Sequence, residues 1–420
     1  MNAGFIFADM KDDHILISGL FRAEFSKMVA VISRQFGLQH IEAAEDIVSD
    51  TFLLATKNWS EKGIPENPTA WLYKVAKQKT LYQFKRKAIF DKKVIPAITS
   101  SINNTIQELD LDFSLKNIKD SQLQMLFAVC NPAIASEAQI GLALRILCGF
   151  GIEEIADAFL SNKETINKRL FRAKEKLRTE KIKMELPPEN EMSYRLDNVL
   201  HIIYLLFNEG YYSKTSNQTL QKNLCLEAMR LALMLIEFEA TNLPKTNAVM
   251  AIMCFHASRF DARQSAQDSV VLYEQQNEAL WDTELVNKGL HFLNLAEMGS
   301  EISSYHIEAR IAYWHCIKED TSEKWENILQ LYNQLLFVNY SPIVALNRTY
   351  ALYKANGREE ALIEAEKLKL ENNHFYFMLL GELYKDYDNK KAILNFEKAC
   401  ALAKTDTEKQ AIRNKINSFN

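Results

Sequence analysis

Turn-forming residues are scarce in this chain, which holds only 12 glycines and 8 prolines among 420 residues; average usage would supply about 50 in all. That scarcity argues against a β-sandwich, a β-barrel or a glycine-rich doubly wound α/β fold, all of which need turn formers. The six cysteines, Cys130, Cys148, Cys225, Cys254, Cys316 and Cys400, lie far apart and form no C-x-x-C pair. Neither a zinc site nor a disulfide framework is expected, and buried free thiols in a reducing cytoplasm are the better reading. No apolar run approaches the roughly 18–20 residues that span a bilayer. Met1 to Asp13 has no basic n-region and no long apolar core, so it does not read as a signal peptide.

The signatures of catalysis are also missing. None of the eight histidines sits in H-E-x-x-H or another metal spacing, and there is no Walker loop, no G-x-G-x-x-G and no G-x-S-x-G. Glu209 before Gly210, and the pair His306 and Glu308, are the best polar constellations in the C-terminal half; they read as satisfied helix-packing groups. The expectation is a protein that is not an enzyme, with no cofactor, no metal and no membrane association.

What is present is helix-forming sequence. Hydrophobic residues make up 48% and charged residues 25%, an ordinary globular balance with length for about three domains. Apolar positions recur at three- and four-residue steps over 14–38 (Ile17, Phe21, Phe25, Met28, Ile32) and 41–58 (Ile41, Ala44, Val48, Phe52, Ala55). The opposite face of the second segment carries Glu42, Glu45, Asp46 and Asp50. Gly63, Pro65 and Pro68 break the helix. A third helix over 69–93 is basic and aromatic, with Trp71, Tyr73, Lys74, Lys77, Lys79, Tyr82, Phe84, Lys85, Arg86 and Lys87. Residues 96–118 read as a linker. A short helix over Ile152–Leu160, a polar turn at Ser161–Lys163 and a longer helix over Thr165–Arg178 make a pattern shared by the helix-turn-helix and by ordinary helical hairpins. In the longer helix Ile166, Leu170, Ala173 and Leu177 point inward, and Asn167, Lys168, Arg169, Arg172, Lys174 and Lys176 outward.

Charge is unevenly divided. Residues 1–185 carry 26 basic and 23 acidic side chains, and the rest of the chain is net −7. Lys74–Lys93 holds eight cations against one acid, and Lys163–Lys183 nine against three. One such run is usually a solvated helix face. Two, on separate helical modules, favour a nucleic-acid backbone, because phosphate neutralisation needs clustered cations. Beyond Pro187 and Pro188 the chain reads as helical to its end. Residues 352–367 laid on 383–398 match at an offset of 31: Leu352-Tyr353-Lys354 on Leu383-Tyr384-Lys385, Ala361 on Ala392 and Glu366 on Glu397. Small residues recurring at this period predict degenerate tetratricopeptide-like (TPR-like) helix pairs near 341–405, ordinarily a scaffold for a protein or peptide partner.

Two blocks resemble the extracytoplasmic-function group of bacterial sigma factors, the promoter-recognition subunits of RNA polymerase. One is Ala44-Glu45-Asp46-Ile47-Val48-Ser49-Asp50-Thr51-Phe52, followed by Pro68-Thr69-Ala70-Trp71-Leu72-Tyr73-Lys74-Val75-Ala76. The other is Ile152-Glu153-Glu154-Ile155-Ala156 with Thr165-Ile166-Asn167-Lys168-Arg169-Leu170-Phe171-Arg172-Ala173-Lys174. The segments Leu196–Tyr211 and Ser341–Arg348 resemble the helical extension of one subgroup. The chain departs from the family at Ser49 and Gln78, where Gln and Asn are usual.

The resemblance implies an all-α protein. Sigma region 2 would occupy 10–95, a linker 96–118, a region 4 helix-turn-helix 119–185, and a helical extension 187–420. It implies core RNA polymerase and promoter DNA as partners, and an extension that regulates the sigma domains or binds a partner. Asp46 and Asp50 would meet the polymerase clamp. Trp71, Lys74, Lys77, Gln78, Tyr82, Lys85 and Arg86 would serve the minus-ten element. Lys163, Thr165, Asn167, Lys168, Arg169, Phe171, Arg172 and Lys174 would serve the minus-thirty-five element. Phe171 has a second reading as a core aromatic, and Trp71 as a buried anchor. The rival function is a helix-turn-helix regulator or TPR adaptor that never engages polymerase.

Overall fold

A computed structural model describes residues 3–94, 111–212, 218–263, 271, 273, 276–403 and 406–419, and among them there are helices and no strands. Side chains are described from residue 16 onward, except those of 85–94, 218–220 and 406–407 within helices. Two compact units divide the chain, Met1–Thr241 and Asn242–Asn420.

The first unit begins with α1 (Ala3–Phe36), α2 (Ile41–Lys62) and α3 (Pro68–Val94). The sequence places Phe25, Met28, Val29 and Ile32 of α1 at helical spacing, and all four are fully enclosed. The break after α2 has a specific cause. Gly63 takes φ 81, a left-handed conformation that only glycine adopts without cost, and its N–H closes the helix on the Trp59 carbonyl. Asn67 then caps α3, its Oδ1 accepting from the Ala70 N–H at 2.9 Å.

Four shorter helices follow: α4 (Leu115–Val129), α5 (Ser136–Leu142), which runs on as a π-helical turn over Ala143–Leu147, α6 (Ile152–Ala158) and α7 (Lys163–Thr179). The unit is completed by α8 (Glu189–Tyr211) and α9 (Gln218–Ile236). These two lie beyond the Pro187–Pro188 break, yet they pack on the elements before it. Arg195 of α8 donates to the Phe127 carbonyl at 2.6 Å, Asn198 to the Cys130 carbonyl at 2.6 Å, and Arg230 of α9 to the Leu147 carbonyl at 2.7 Å. Each meets a carbonyl that a helix end leaves without an intrahelical partner.

The second unit is a run of helices: α10 (Pro244–Ala257), α11 (Phe260–Arg263), α12 (Thr283–Ala296), α13 (Ser304–Trp314), α14 (Ser322–Val338), α15 (Pro342–Asn356), α16 (Arg358–Leu368), α17 (His374–Tyr384), α18 (Asn389–Leu402) and α19 (Asp406–Asn417). Local chemistry sets the starts. Asp282, Thr321, Ser341 and Asp388 each accept an N–H of the following turn. The sequence repeat falls on the pairs α15–α16 and α17–α18, and its matched alanines, Ala361 and Ala392, are both fully buried. Between α17 and α18 the approach is closer still: a Cβ on Gly381 would lie 2.5 Å from the Phe396 ring. Gly381→Ala therefore forces that ring to move. We expect a loss of about 1–3 kcal/mol from overpacking, read as a fall of roughly 2–12 °C in the melting temperature of this unit.

Of the six cysteines, all free, Cys130, Cys148, Cys225 and Cys254 are buried, and Cys316 and Cys400 are half-buried. Burial pushes the Cys130 thiol up to about 12 and the Cys254 thiol likewise to about 12, so both are protonated and inert. Among the described residues no helix is long and apolar enough to cross a membrane.

Candidate nucleic-acid interface

The helix pair α6–α7 is built by its caps. Glu154 accepts from the Gly151 N–H at 2.8 Å and fixes the start of α6. Asn162 accepts from the Thr165 N–H at 2.8 Å and fixes the start of α7. Leu160 closes the turn between them at φ 47. Lys163 reaches back across the turn to Glu153 in an exposed ion pair. Ile166, Leu170, Ala173 and Leu177 seat α7 on the core. That leaves Asn167, Lys168, Phe171 and Arg172 on the outer face, all exposed, with no ion pair or side-chain hydrogen bond among the described residues. Phe171 is 59% exposed, which removes its reading as a core aromatic. A groove of about 510 Å³ runs beside this face, between Ile134–Ala138 and the side chains of Thr165, Lys168, Arg172 and Lys176.

Besides Lys163, two more of the expected cations are engaged elsewhere. Arg169 pairs with Glu137 at 3.0 Å and lies over the Phe159 ring. Lys174 is 13% exposed and turned toward α2, where it meets Glu45 at 2.5 Å. Helical spacing put Lys174 on the outer face; a buried carboxylate on another element draws it in.

On α3, Leu72, Ala76 and Thr80 face the core. Lys74, Gln78 and Tyr82 are exposed, the last at 69%, and form a stripe at helical spacing. Trp71 stands at one end of it, half-buried, its ring edge-on to the buried Trp59 at 5.4 Å. It is thus an anchor with part of its ring in solvent. Lys77 is half-buried. The side chains of Lys85 and Arg86 lie outside the described residues. Tyr73 turns inward and donates to Glu24 at 2.5 Å; burial and that carboxylate raise its phenol well above the usual range.

The acidic residues of α2 differ in exposure. Asp46 and Asp50 are exposed, and Asp50 stands 3.7 Å from Lys79. Partial burial, then the neighbouring Glu45 and Asp50 carboxylates, raise the Asp46 carboxyl. Glu42 is half-buried, with 44% of its side chain in solvent, and Glu45 faces inward. Glu45 is 5% exposed, which corrects its expected place on the face opposite the apolar positions.

The sigma-70 region 2 family matches residues 20–89, the stretch that holds α2 and the α3 stripe. A family of unknown function (DUF6596) matches residues 195–297. The "Uncharacterized protein R00370" of Rhizobium meliloti (strain 1021) is 32% identical over 379 residues, covering 89% of each chain. The chain belongs to the sigma-70 family. No solved structure matches it. It carries region 2 at its N-terminus and a helical C-terminal extension.

In this sigma-70 family member, the residues that sequence reasoning missed are those joining α1 and α2 to the segment that follows α4. Glu45 receives Arg145 on Oε1 at 2.9 Å and Lys174 on Oε2 at 2.5 Å. Arg178 reaches Glu42 at 2.8 Å, and Arg22 of α1 pairs with Glu154. The signal for Glu45 was available: it stands four residues after Ile41 and three before Val48, inside the apolar stripe of α2.

Proposed function

We propose that this chain is a sigma factor of the extracytoplasmic-function type, which acts in the cytoplasm by carrying core RNA polymerase to promoters. Asp46 and Asp50 meet basic residues of the polymerase clamp. The α6–α7 helix-turn-helix reads the minus-thirty-five element in the major groove. In this reading Arg172 takes guanine and Asn167 adenine by bidentate bonds, and Phe171 touches a thymine methyl. Lys168, with Lys163 and the cations beside the groove, holds the phosphates that set register.

The opened minus-ten strand lies along α3. Lys74 supplies charge, while Trp71 and Tyr82 offer rings on which unstacked bases rest, each stack contributing about 1–3 kcal/mol. No nucleotide hydrolysis is required, since protein contacts offset the few kcal/mol of each unstacked step. The TPR-like extension regulates this activity or binds a protein or peptide.

The observation that carries the proposal is the unpaired outer face of α7, Asn167, Lys168, Phe171 and Arg172, in the same compact unit as the α3 stripe. The test is comigration of the full chain with core polymerase, followed by promoter-dependent transcription from the mixture. DNA binding with no polymerase association points instead to the helix-turn-helix regulator. Arg172→Ala should weaken promoter binding by about 1–3 kcal/mol and relax the choice of base at one position. Equal selectivity across promoter variants would take Arg172 off the reading face.

A further inference from the structure

Among the described residues four side chains of the Asp, Glu, Lys and Arg types are buried: Glu24, Glu45, Arg259 and Lys324. The two acids are compensated. Glu45 holds Arg145 and Lys174, and Glu24 holds Lys27 at 2.8 Å. The two cations belong to the second unit, and neither has an ion pair among the described residues. Arg259 follows the end of α10 and is 7% exposed; Lys324 lies in the first turn of α14 and is 2% exposed. A buried charge without a counter-charge is strongly destabilising, and two within one cluster compound the cost.

Both cations lie against the same ring. The Arg259 guanidinium carbon and the Lys324 ammonium nitrogen are each 5.4 Å from the Tyr273 centroid. Lys324 donates to the Tyr273 hydroxyl at 3.0 Å and to the Ile317 carbonyl at 2.8 Å, which leaves one ammonium proton over. Arg259 meets only the His256 Nδ1, at 3.5 Å, and its Nε is buried with no partner. Two further rings border Tyr273, Trp281 at 6.4 Å and His315 at 5.2 Å between centroids. The indole Nε1 of Trp281 and the Nδ1 of His315 are also buried and unpartnered.

No group of the cluster supplies the missing negative charge. The nearby acids are taken: Asp320 accepts from the Trp325 indole and pairs with Lys354 at 2.8 Å, and Glu278 pairs with Lys318 at 2.6 Å. Burial pushes the Tyr273 phenol up to about 12 and also raises the Cys316 thiol, so both stay neutral. Burial, then Arg259 and Lys324, push His315 down to about 3, so its imidazole is uncharged. What remains is a set of donors without acceptors: the Arg259 Nε–H, one Lys324 proton, the Trp281 N–H and, in one tautomer, the His315 Nδ1–H.

We infer that the cluster around Tyr273 is a binding site for a small oxyanion, a phosphate or carboxylate group, which provides the counter-charge that Arg259 and Lys324 lack. Charge-assisted hydrogen bonds from a guanidinium and an ammonium suit such a group, and the enclosure keeps it small. Its ligands come from the ends of α10 and α13 and the starts of α12 and α14, so occupancy ties four helices of the extension together. The extension thereby gains a small-molecule input beside any protein partner. This holds whether or not the chain engages polymerase.

The experiment uses the full chain, dialysed into chloride buffer, with inorganic phosphate, acetate or phenyl phosphate added at constant ionic strength. Calorimetry reads the melting temperature, and hydrogen–deuterium exchange over 256–263, 276–284 and 311–326 reads the place of binding. A bound anion should raise the transition of the second unit by about 5–11 °C at a free concentration a hundredfold above its Kd, and slow exchange in those three segments. Lys324→Met, which keeps the side chain's length and removes its charge, should lose most of the shift. If that variant fails to fold, Arg259→Gln and the exchange map of the unaltered chain decide. A response to phosphate or acetate identifies a free ion as sufficient; a response to phenyl phosphate alone assigns the anion to a larger aromatic molecule. No response to any of the three overturns the inference. So does a shift that persists undiminished in the variants, or slowed exchange confined to the basic helices of the first unit.

Discussion

Asp46→Arg combined with Asp50→Arg should abolish comigration with core polymerase while leaving the circular dichroism spectrum unchanged. Both carboxylates are exposed, and Asp50 has one neighbour, Lys79 at 3.7 Å, in a pair with 64% of the carboxylate side chain in solvent. Exposed pairs of this kind contribute at most about 1 kcal/mol to folding, so the fold should tolerate the change. The interface should not. Truncating one member of a close interfacial charge pair costs about 2–5 kcal/mol, and reversal adds repulsion. Two such sites amount to a loss of affinity on the order of a thousandfold or more. Asp46 is the stronger of the two, because its carboxyl is already strained by partial burial and by Glu45 and Asp50, a repulsion that an incoming cation relieves. Retained comigration with a normal spectrum would remove α2 from the polymerase interface. Loss of the spectrum would mean that Asp46 serves the fold instead, and single substitution at Asp50 would separate the two.

The elements that carry the proposed site were legible because each is an amphipathic helix with its own punctuation. The α3 stripe follows from Leu72, Ala76 and Thr80 on one face, with Lys74, Gln78 and Tyr82 between them. The outer face of α7 follows from Ile166, Leu170, Ala173 and Leu177. Periodicity says which side of a helix is inward, but not what an inward charge meets. Lys174 was assigned outward by spacing, yet Glu45, 129 residues earlier, draws it in at 2.5 Å. Arg145 lies in an apolar stretch with no nearby acid in sequence, and its role depends on Glu45 and the Phe150 carbonyl alike. Such pairings are set by tertiary contact, and no local pattern encodes them.

A chain ending at residue 186 should fail to fold, whereas one ending at Thr241 should keep a cooperative transition near that of the same unit in the full protein. The Pro187–Pro188 break is a strong local signal, but it governs only the backbone at that point. Past it, α8 returns and buries Leu196, Val199, Leu200 and Ile203 completely, while Arg195 and Asn198 serve the carbonyls at the end of α4. Fully burying a large aliphatic side chain is worth about 1.5–3 kcal/mol, so four of them already approach the 5–15 kcal/mol that stabilises a whole domain. Removing α8 and α9 also strands the Phe127, Cys130 and Leu147 carbonyls and bares the faces of α4 and α5 that those helices cover. Thermal unfolding of the two truncated chains, followed by circular dichroism and calorimetry, decides the matter. A cooperative, soluble 186-residue chain would show that α8 and α9 only rest on a finished module. A 241-residue chain that aggregates would show that the boundary lies further on. With the 241-residue chain in hand, its transcription beside that of the full protein isolates what α10–α19 contribute, free of the damage that a cut at 187 would do to the core.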